Sequence, residues 1–266
     1  MKENRPNKNF NRRPAPEAQP EEIEGQLEGR NALTEALKSG RTIDKVFIAS
    51  GEVDRGLQRL AAQAKEAGAV VVPVDRRKLD AMSTTHAHQG VITLAAAHEY
   101  CTIDDILEEA ASRGENALIV ICDELSDPHN LGAIMRSAEC AGAHGVIIPK
   151  RRSVGLPATV AKASAGAVEY MKVARVTNVN NAIQELKEKG GWIFGPAAEG
   201  SIPMYKADLT GPAAIVIGSE GDGMSPLVRK NCDVTVHIPM KGRISSLNAS
   251  AAASILLYEA VRQRLG

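Results

Sequence analysis

Asn130 and Arg136, Glu220, and Ser246 and Asn248 stand in three polar loop stretches, Asp123 to Arg136, Gly218 to Ser225 and His237 to Asn248. These loops, each following an apolar run, are where polar residues that could do chemistry concentrate in this chain. The first stretch runs from Asp123 to Arg136, off the apolar run ALIVIC. Asp127, Pro128 and Asn130 are turn and cap types, which by themselves make only a good strand-to-helix connection. Arg136 asks for more. With Ile134, Met135, Ala138 and Ala141 around it, the spacing predicts a guanidinium among packed side chains, where it needs an anion, an acceptor or a salt-bridge partner.

The second stretch, Gly218 to Ser225, follows AAIVI and has the form GxxGxG. That is neither the dinucleotide fingerprint nor a P-loop, since no GK[ST] follows, so NAD and nucleoside triphosphates lose support. Its glycines let backbone approach a flat ligand closely, and Glu220 holds a carboxylate at the mouth of a strand. A tight turn alone would also account for them. The third stretch runs from His237 to Asn248, ahead of a helix rich in Ala and Ser. There Ser246 and Asn248 read as caps, on a helix small enough to bring the loop against a ligand edge. His86, His88 and His98 form no Cys/His/carboxylate cluster with ligand spacing, so no metal site is expected.

These residues need a scaffold, and the pattern supplies one. From residue 117 on, apolar runs (ALIVIC, GVIIP, MKVARV, WIFGPA, AAIVI, VTVHIP) alternate with helical patterns. That is the mark of a parallel sheet covered on both faces, with ligands at the loops after the strands' carboxyl ends. Between Glu24 and His98 a smaller α/β unit reads as helix, strand, helix, strand, a short helix near Arg77 to Met82, and a last strand in GVITLAAA. Residues 99 to 116 read as a charged linker with a short helix starting near Thr102. Residues 1 to 22 hold four of the 13 prolines and no Ile, Leu or Val, and residues 1 to 13 carry five Lys/Arg against one Glu. This predicts a disordered basic arm, either a plain solvated tail or a loose hold on RNA phosphates.

Composition narrows the class. Lys+Arg and Asp+Glu are 32 each in 266 residues, so no global charge announces a nucleic-acid or membrane-surface protein. Aromatic residues are 3%, against 44% hydrophobic overall, which disfavours a base-stacking barrel and predicts a core of Val, Ile, Leu and Ala. No apolar run approaches the roughly 18 residues that cross a bilayer, and a cytoplasmic location is expected. The four cysteines (Cys101, Cys122, Cys140, Cys232) lie far apart with no CxxC, and read as buried reduced thiols.

Taken together, NLGAIMRSAECAG, IVIGSEGDGMS and IPMKGRISSLNASAAASILLYEA resemble, in order and separation, the three motifs of the SpoU (TrmH-like) family of RNA ribose 2'-O-methyltransferases in the SPOUT superfamily. The resemblance covers residues 25 to 266. GRNALTEALKSGRTIDKVFIA and HAHQGVI are similar to the small RNA-binding domain of the branch that modifies a guanosine in the peptidyl-transferase loop of 23S rRNA. One departure is SLNASAA, where the family commonly shows SLNVSVA, a change of packing more than of chemistry.

The resemblance implies an α/β protein whose C-terminal parallel-sheet domain, 117–266, contains a deep trefoil knot, preceded by an RNA-binding domain over 23–98. It implies S-adenosylmethionine as cofactor, 23S rRNA as partner, and a homodimer through the C-terminal domain. Asn130, Arg136, Glu220, Ser246 and Asn248 become the catalytic set, and Gly218, Ile238 and Leu247 the positions whose backbone holds the cofactor's adenosine. An arginine is effectively always protonated, so Arg136 is expected to stabilise the developing alkoxide and grip a phosphate rather than accept a proton. The other readings are methylation of a tRNA guanosine or an rRNA adenosine by the same motifs, and a non-catalytic RNA-binding ribosome-assembly protein.

Overall fold

The computed structural model describes residues 25–51, 55–96, 98–197 and 201–266; the basic arm lies outside them. The N-terminal unit comprises β1 (Gln26–Glu28), α1 (Arg30–Lys38), β2 (Ile43–Ala49), α2 (Arg55–Glu66), β3 (Val70–Val74), α3 (Arg76–Met82) and β4 (Val91–Ala95). Its sheet has the order β1-β4-β2-β3, with β2 and β3 parallel and the other pairs antiparallel. Leu57, Leu60, Ala61 and Ala64 recur at helical spacing on α2, and all four join the cluster that holds Leu33, Val46 and Val91. The three-residue β1 was not expected: it is too short for an alternating pattern. Glu28 at its end accepts from the Ser83 hydroxyl at 2.5 Å and the Thr84 backbone N–H at 2.7 Å, tying β1 to the loop before β4.

The second unit begins earlier than the linker expectation allowed. Helix α4 (Ile103–Ser112) starts at a capping box between Thr102 and Asp105, and its Ile103, Ile106 and Ala110 are buried with Ile119, Ile121 and Ile147. Residues 99–116 are therefore not a free connector: a stripe of apolar residues on α4 packs on the large sheet. That sheet comprises β5 (Leu118–Cys122), β6 (Gly145–Pro149), β7 (Lys172–Val176), β8 (Trp192–Pro196), β9 (Ile202–Pro203), β10 (Ala213–Ile217) and β11 (Val234–His237). The order is β7-β6-β5-β10-β8-β11-β9 and every pairing is parallel.

All five residues of β5, β6 and β10 are buried. Side chains alternate between two cores, as a doubly covered sheet requires. Leu118, Val120 and Cys122 face α5 (Pro128–Cys140), α6 (Ala158–Ala163) and α9 (Ala249–Leu265). Ile119 and Ile121 face α4, α7 (Val179–Glu188) and α8 (Pro226–Asn231). The sequence pattern missed β9, α8 and two short 3-10 turns, Ala167–Glu169 and Met204–Lys206, all six residues or fewer. All four cysteines are free thiols, but only Cys122 is fully buried and Cys140 is exposed, which corrects the uniformly buried expectation. Among the described residues no helix is long and apolar enough to cross a membrane.

Candidate active site

The β5–α5, β10–α8 and β11–α9 loops leave the carboxyl ends of strands in the large sheet, so parallel pairing alone sends them to one edge. Three of the five expected polar residues meet there. The buried Asn130, in the first turn of α5, donates through Nδ2 to Glu220 Oε1 at 2.6 Å and accepts at Oδ1 from Asn248 Nδ2 at 2.9 Å. Asn248 in turn caps α9, its Oδ1 accepting from the Ser250 hydroxyl at 2.6 Å and the Ser250 backbone N–H at 2.9 Å. The result is a directed relay from the α9 N-terminus through two amides to one carboxylate. Each amide uses its oxygen as acceptor and its nitrogen as donor, so the Glu220 rotamer is fixed from behind.

The glycine loop closes by hydrogen bonds between the Ser219 N–H and Gly223 carbonyl (3.0 Å) and between the Gly223 N–H and Ser219 carbonyl (3.2 Å), with Gly223 at φ +69°. A Cβ on Gly218 would lie 2.2 Å from the Gly223 carbonyl carbon and 2.3 Å from the Met224 nitrogen, both backbone atoms that cannot yield. Gly218 is thus required by the fold of its own loop. The exit of that loop is held by Asp123, a buried carboxylate that accepts from the Ser225 N–H at 2.7 Å.

Asp123 was not singled out from the sequence. Its signal was a carboxylate directly after the fully apolar β5, where a buried charge must find a donor. His237, whose Nδ1 lies 2.9 Å from the Ser201 hydroxyl, and Met224 were also missed. Burial pushes the neighbouring Cys232 thiol up to about 11, so it stays protonated beside Met224 and offers no nucleophile.

A cavity of about 790 Å³ opens between the glycine loop and the β11–α9 loop. Gly218, Glu220, Ile238, Ser246 and Leu247 line it, which brings all three expected cofactor positions and two of the catalytic ones to one space. Ile217, Ile238 and Leu247 give it apolar walls beside backbone amides, a fit for a flat heteroaromatic ring, and Glu220 lies at its border. Among the described residues no group of three or more His, Cys, Asp or Glu could hold a metal ion.

Arg136 does not join them. It is exposed on α5, lines no part of the cavity and has no hydrogen bond or ion pair with any described residue, which corrects the expectation of a packed guanidinium. Ser246 is exposed as well.

Residues 117–258 match the SpoU rRNA Methylase family, and residues 26–101 match the RNA 2'-O ribose methyltransferase substrate-binding family. The chain is 48% identical over 236 residues to YacO of Bacillus subtilis (strain 168), a protein assigned to the TrmH family of tRNA/rRNA methyltransferases. The match covers 89% of this chain and 94% of that one. Among solved structures it is similar to the SpoU methyltransferase AviRb from Streptomyces viridochromogenes in complex with AdoMet (TM-score 0.58, 26% identity, 90% of each chain). It is similar also to an AdoMet-bound rRNA methyltransferase from Sinorhizobium meliloti (TM-score 0.58, 25% identity, 91% of this chain and 88% of that one).

Proposed function

We propose, from the premise that this chain belongs to the SpoU rRNA methylase family and is an S-adenosylmethionine-dependent tRNA/rRNA 2'-O-methyltransferase, that its substrate is a guanosine ribose in 23S rRNA. The observation that carries a catalytic reading is the Asn130–Glu220–Asn248 relay at the rim of a cavity whose walls include Gly218, Ile238 and Leu247. A module that only binds RNA has no need of a buried amide aimed at a carboxylate. The choice of rRNA over tRNA is supported by the N-terminal unit, whose residues 26–101 match a dedicated substrate-binding family.

In this reading the cofactor supplies a methyl group already activated on a sulfonium, and the protein aligns the ribose and manages its proton. The backbone at Gly218, Ile238 and Leu247 holds the adenosine. Glu220, fixed by Asn130, accepts hydrogen bonds from the nucleotide, and Ser246 and Asn248 complete the donors around it. Arg136, exposed and unpaired among the described residues, is available to the substrate, and its planar fork suits a phosphate together with the developing alkoxide. Residues 1–22 serve as a basic arm, 23–98 as the RNA-binding domain and 117–266 as the catalytic domain. The last strands and α9 form the family's trefoil knot, and two copies pair through the catalytic domain in the cytoplasm.

Tritiated methyl transfer from S-adenosylmethionine to 23S rRNA and to tRNA transcripts, side by side, tests the substrate. Label is expected in 23S rRNA, recovered as 2'-O-methylguanosine. Label in tRNA alone would replace the rRNA reading with the tRNA one, and label in neither, with both RNAs bound, would favour the non-catalytic reading.

A further inference from the structure

A cluster of buried polar groups outside the site joins the two sheets. Asp44 sits in β2 at a bulge: Ile43 pairs with Ala95 and Lys45 with Leu94, leaving Asp44 as the extra residue, turned out of the ladder. Its carboxylate is met by Tyr100 from the connecting segment and by Arg175 and Leu156 from the second unit. Arg175, on edge strand β7, approaches Oδ1 with Nη1 at 2.9 Å and donates from Nη2 to the Asp44 carbonyl at 2.8 Å. The Tyr100 hydroxyl donates to Oδ1 at 2.5 Å, and the Leu156 N–H donates to Oδ2 at 3.1 Å. The Arg175 guanidinium lies 5.1 Å from the centre of the Tyr100 ring. Gly155 admits the contact, since a Cβ there would stand 2.4 Å from Asp44 Oδ2.

Both members of the ion pair are more than nine-tenths buried, and Arg175 Nε has no partner among the described residues. A pair buried this deeply with one donor unsatisfied is a poor choice for stability alone, because apolar side chains of similar volume would do as well. Its advantage is direction: a carboxylate that must meet three donors from three segments permits one docking orientation, where an apolar contact would slide.

The cluster also reaches toward the site. Leu156 and Gly155 belong to the β6–α6 loop. In the same loop the Val154 N–H (3.0 Å) and the Ser153 hydroxyl (2.9 Å) both donate to the Leu125 carbonyl. Leu125 lies between Asp123, which holds the glycine loop, and Asn130.

We propose that Asp44, Tyr100 and Arg175 are positioning residues whose buried cluster locks the N-terminal unit against the catalytic sheet in one orientation, so that an RNA gripped by the first unit reaches the Asn130–Glu220–Asn248 site at a fixed distance. The proposal rests on the RNA-methyltransferase reading. Holding two contact surfaces at a fixed separation makes the second contact intramolecular and removes the ordering cost of bringing them together, so loosening the lock weakens RNA binding before it touches chemistry.

The test uses the full chain and two variants. Arg175→Met leaves Asp44 without its cation, and Gly155→Ala wedges the contact open while keeping every charged group. Four readings are made on each: small-angle X-ray scattering, affinity for a 23S rRNA transcript by filter binding, affinity for S-adenosylmethionine by calorimetry, and turnover at saturating RNA. Both variants are expected to spread in scattering, to bind the transcript about tenfold more weakly, and to keep cofactor affinity and saturated turnover within about twofold of the parent.

Unchanged transcript affinity in a variant whose scattering has spread overturns the positioning role, and unchanged scattering in both overturns the lock itself. A parent protein that binds the transcript but transfers no methyl group defeats the methyltransferase reading instead, while the scattering and binding measurements still decide the lock.

Discussion

Asn130 has no alternative partner arrangement that keeps the site intact, since its oxygen serves Asn248 and its nitrogen Glu220. Arg136 is the opposite kind of residue, exposed and unpaired among the described residues. A structural arginine removed from such a place costs nothing, and a catalytic one costs only rate. Arg136→Ala is therefore expected to leave the melting temperature and cofactor affinity unchanged while turnover falls by roughly two to four orders of magnitude. Arg136→Lys should recover little, because the ammonium keeps the charge but loses the two-pronged geometry. Near-parent turnover in Arg136→Ala, read by methyl transfer alongside a thermal melt, would remove Arg136 from the mechanism. The exposure of this side chain was legible earlier. At 100° per residue Arg136 lies roughly 150° from the centre of the face formed by the buried Leu131, Ile134, Met135 and Ala138, so its apolar neighbours in sequence are not its neighbours in space.

At the scale of elements, the ends of helices and strands carry more of the function than their middles. Asn248 caps α9 and orients Asn130 with the same amide, so one residue fixes both an element and a site. His144 plays a comparable part just ahead of β6. Its fully buried ring accepts the Leu118 N–H at Nδ1 (3.0 Å) and places Nε2 3.0 Å from Glu115, stitching β5 to the segment before it. Burial holds this imidazole below its ordinary range, more than the Glu115 contact raises it.

The sign of the pH effect follows. The unfolded chain takes up the proton near pH 6.5 and the folded one only at lower pH, so stability falls as pH drops below about 6.5 and the loss is complete once pH has passed below the folded value. Asn at this position offers an acceptor near Nδ1 and does not titrate. His144→Asn is expected to melt with a shallower pH dependence than the parent between about pH 7.5 and 5, measured by circular dichroism. Parallel melting curves for the two proteins across that range would show that another group governs acid sensitivity.

For the whole molecule, the two sheets are joined through Asp44 and Arg175 rather than strung on a linker. On α9, Leu256 belongs to the chain's own core and Ile255 is partly buried against it, whereas Tyr258 is 52% exposed. Pairing through the catalytic domain predicts a light-scattering mass of about twice 28.2 kDa at micromolar concentration, and a shift toward the monomer in Tyr258→Glu, which places a charge in the contact. A parent protein that scatters as a monomer would end the dimer proposal.

The sequence by itself determined the parallel, doubly covered sheet, because strands buried on both faces must be apolar throughout, as LIVIC, GVIIP and AAIVI are. It also marked the three loops of the site, because each follows a strand of that sheet and breaks its pattern with Asn, Glu or Gly. What it left open depends on groups far apart in the chain. Asn130 and Glu220 are 90 residues apart, and Asp44 and Leu156 are 112. Local periodicity reports which face of an element is buried and says nothing of what that face meets. The charged segment 99–116 read as a linker for the same reason, since the stripe of α4 is short and its partner β7 lies some 60 residues further on. Only the folded chain decided that a stripe of this segment belongs to the core, that Arg136 is outside it, and that a bulged aspartate joins the two units.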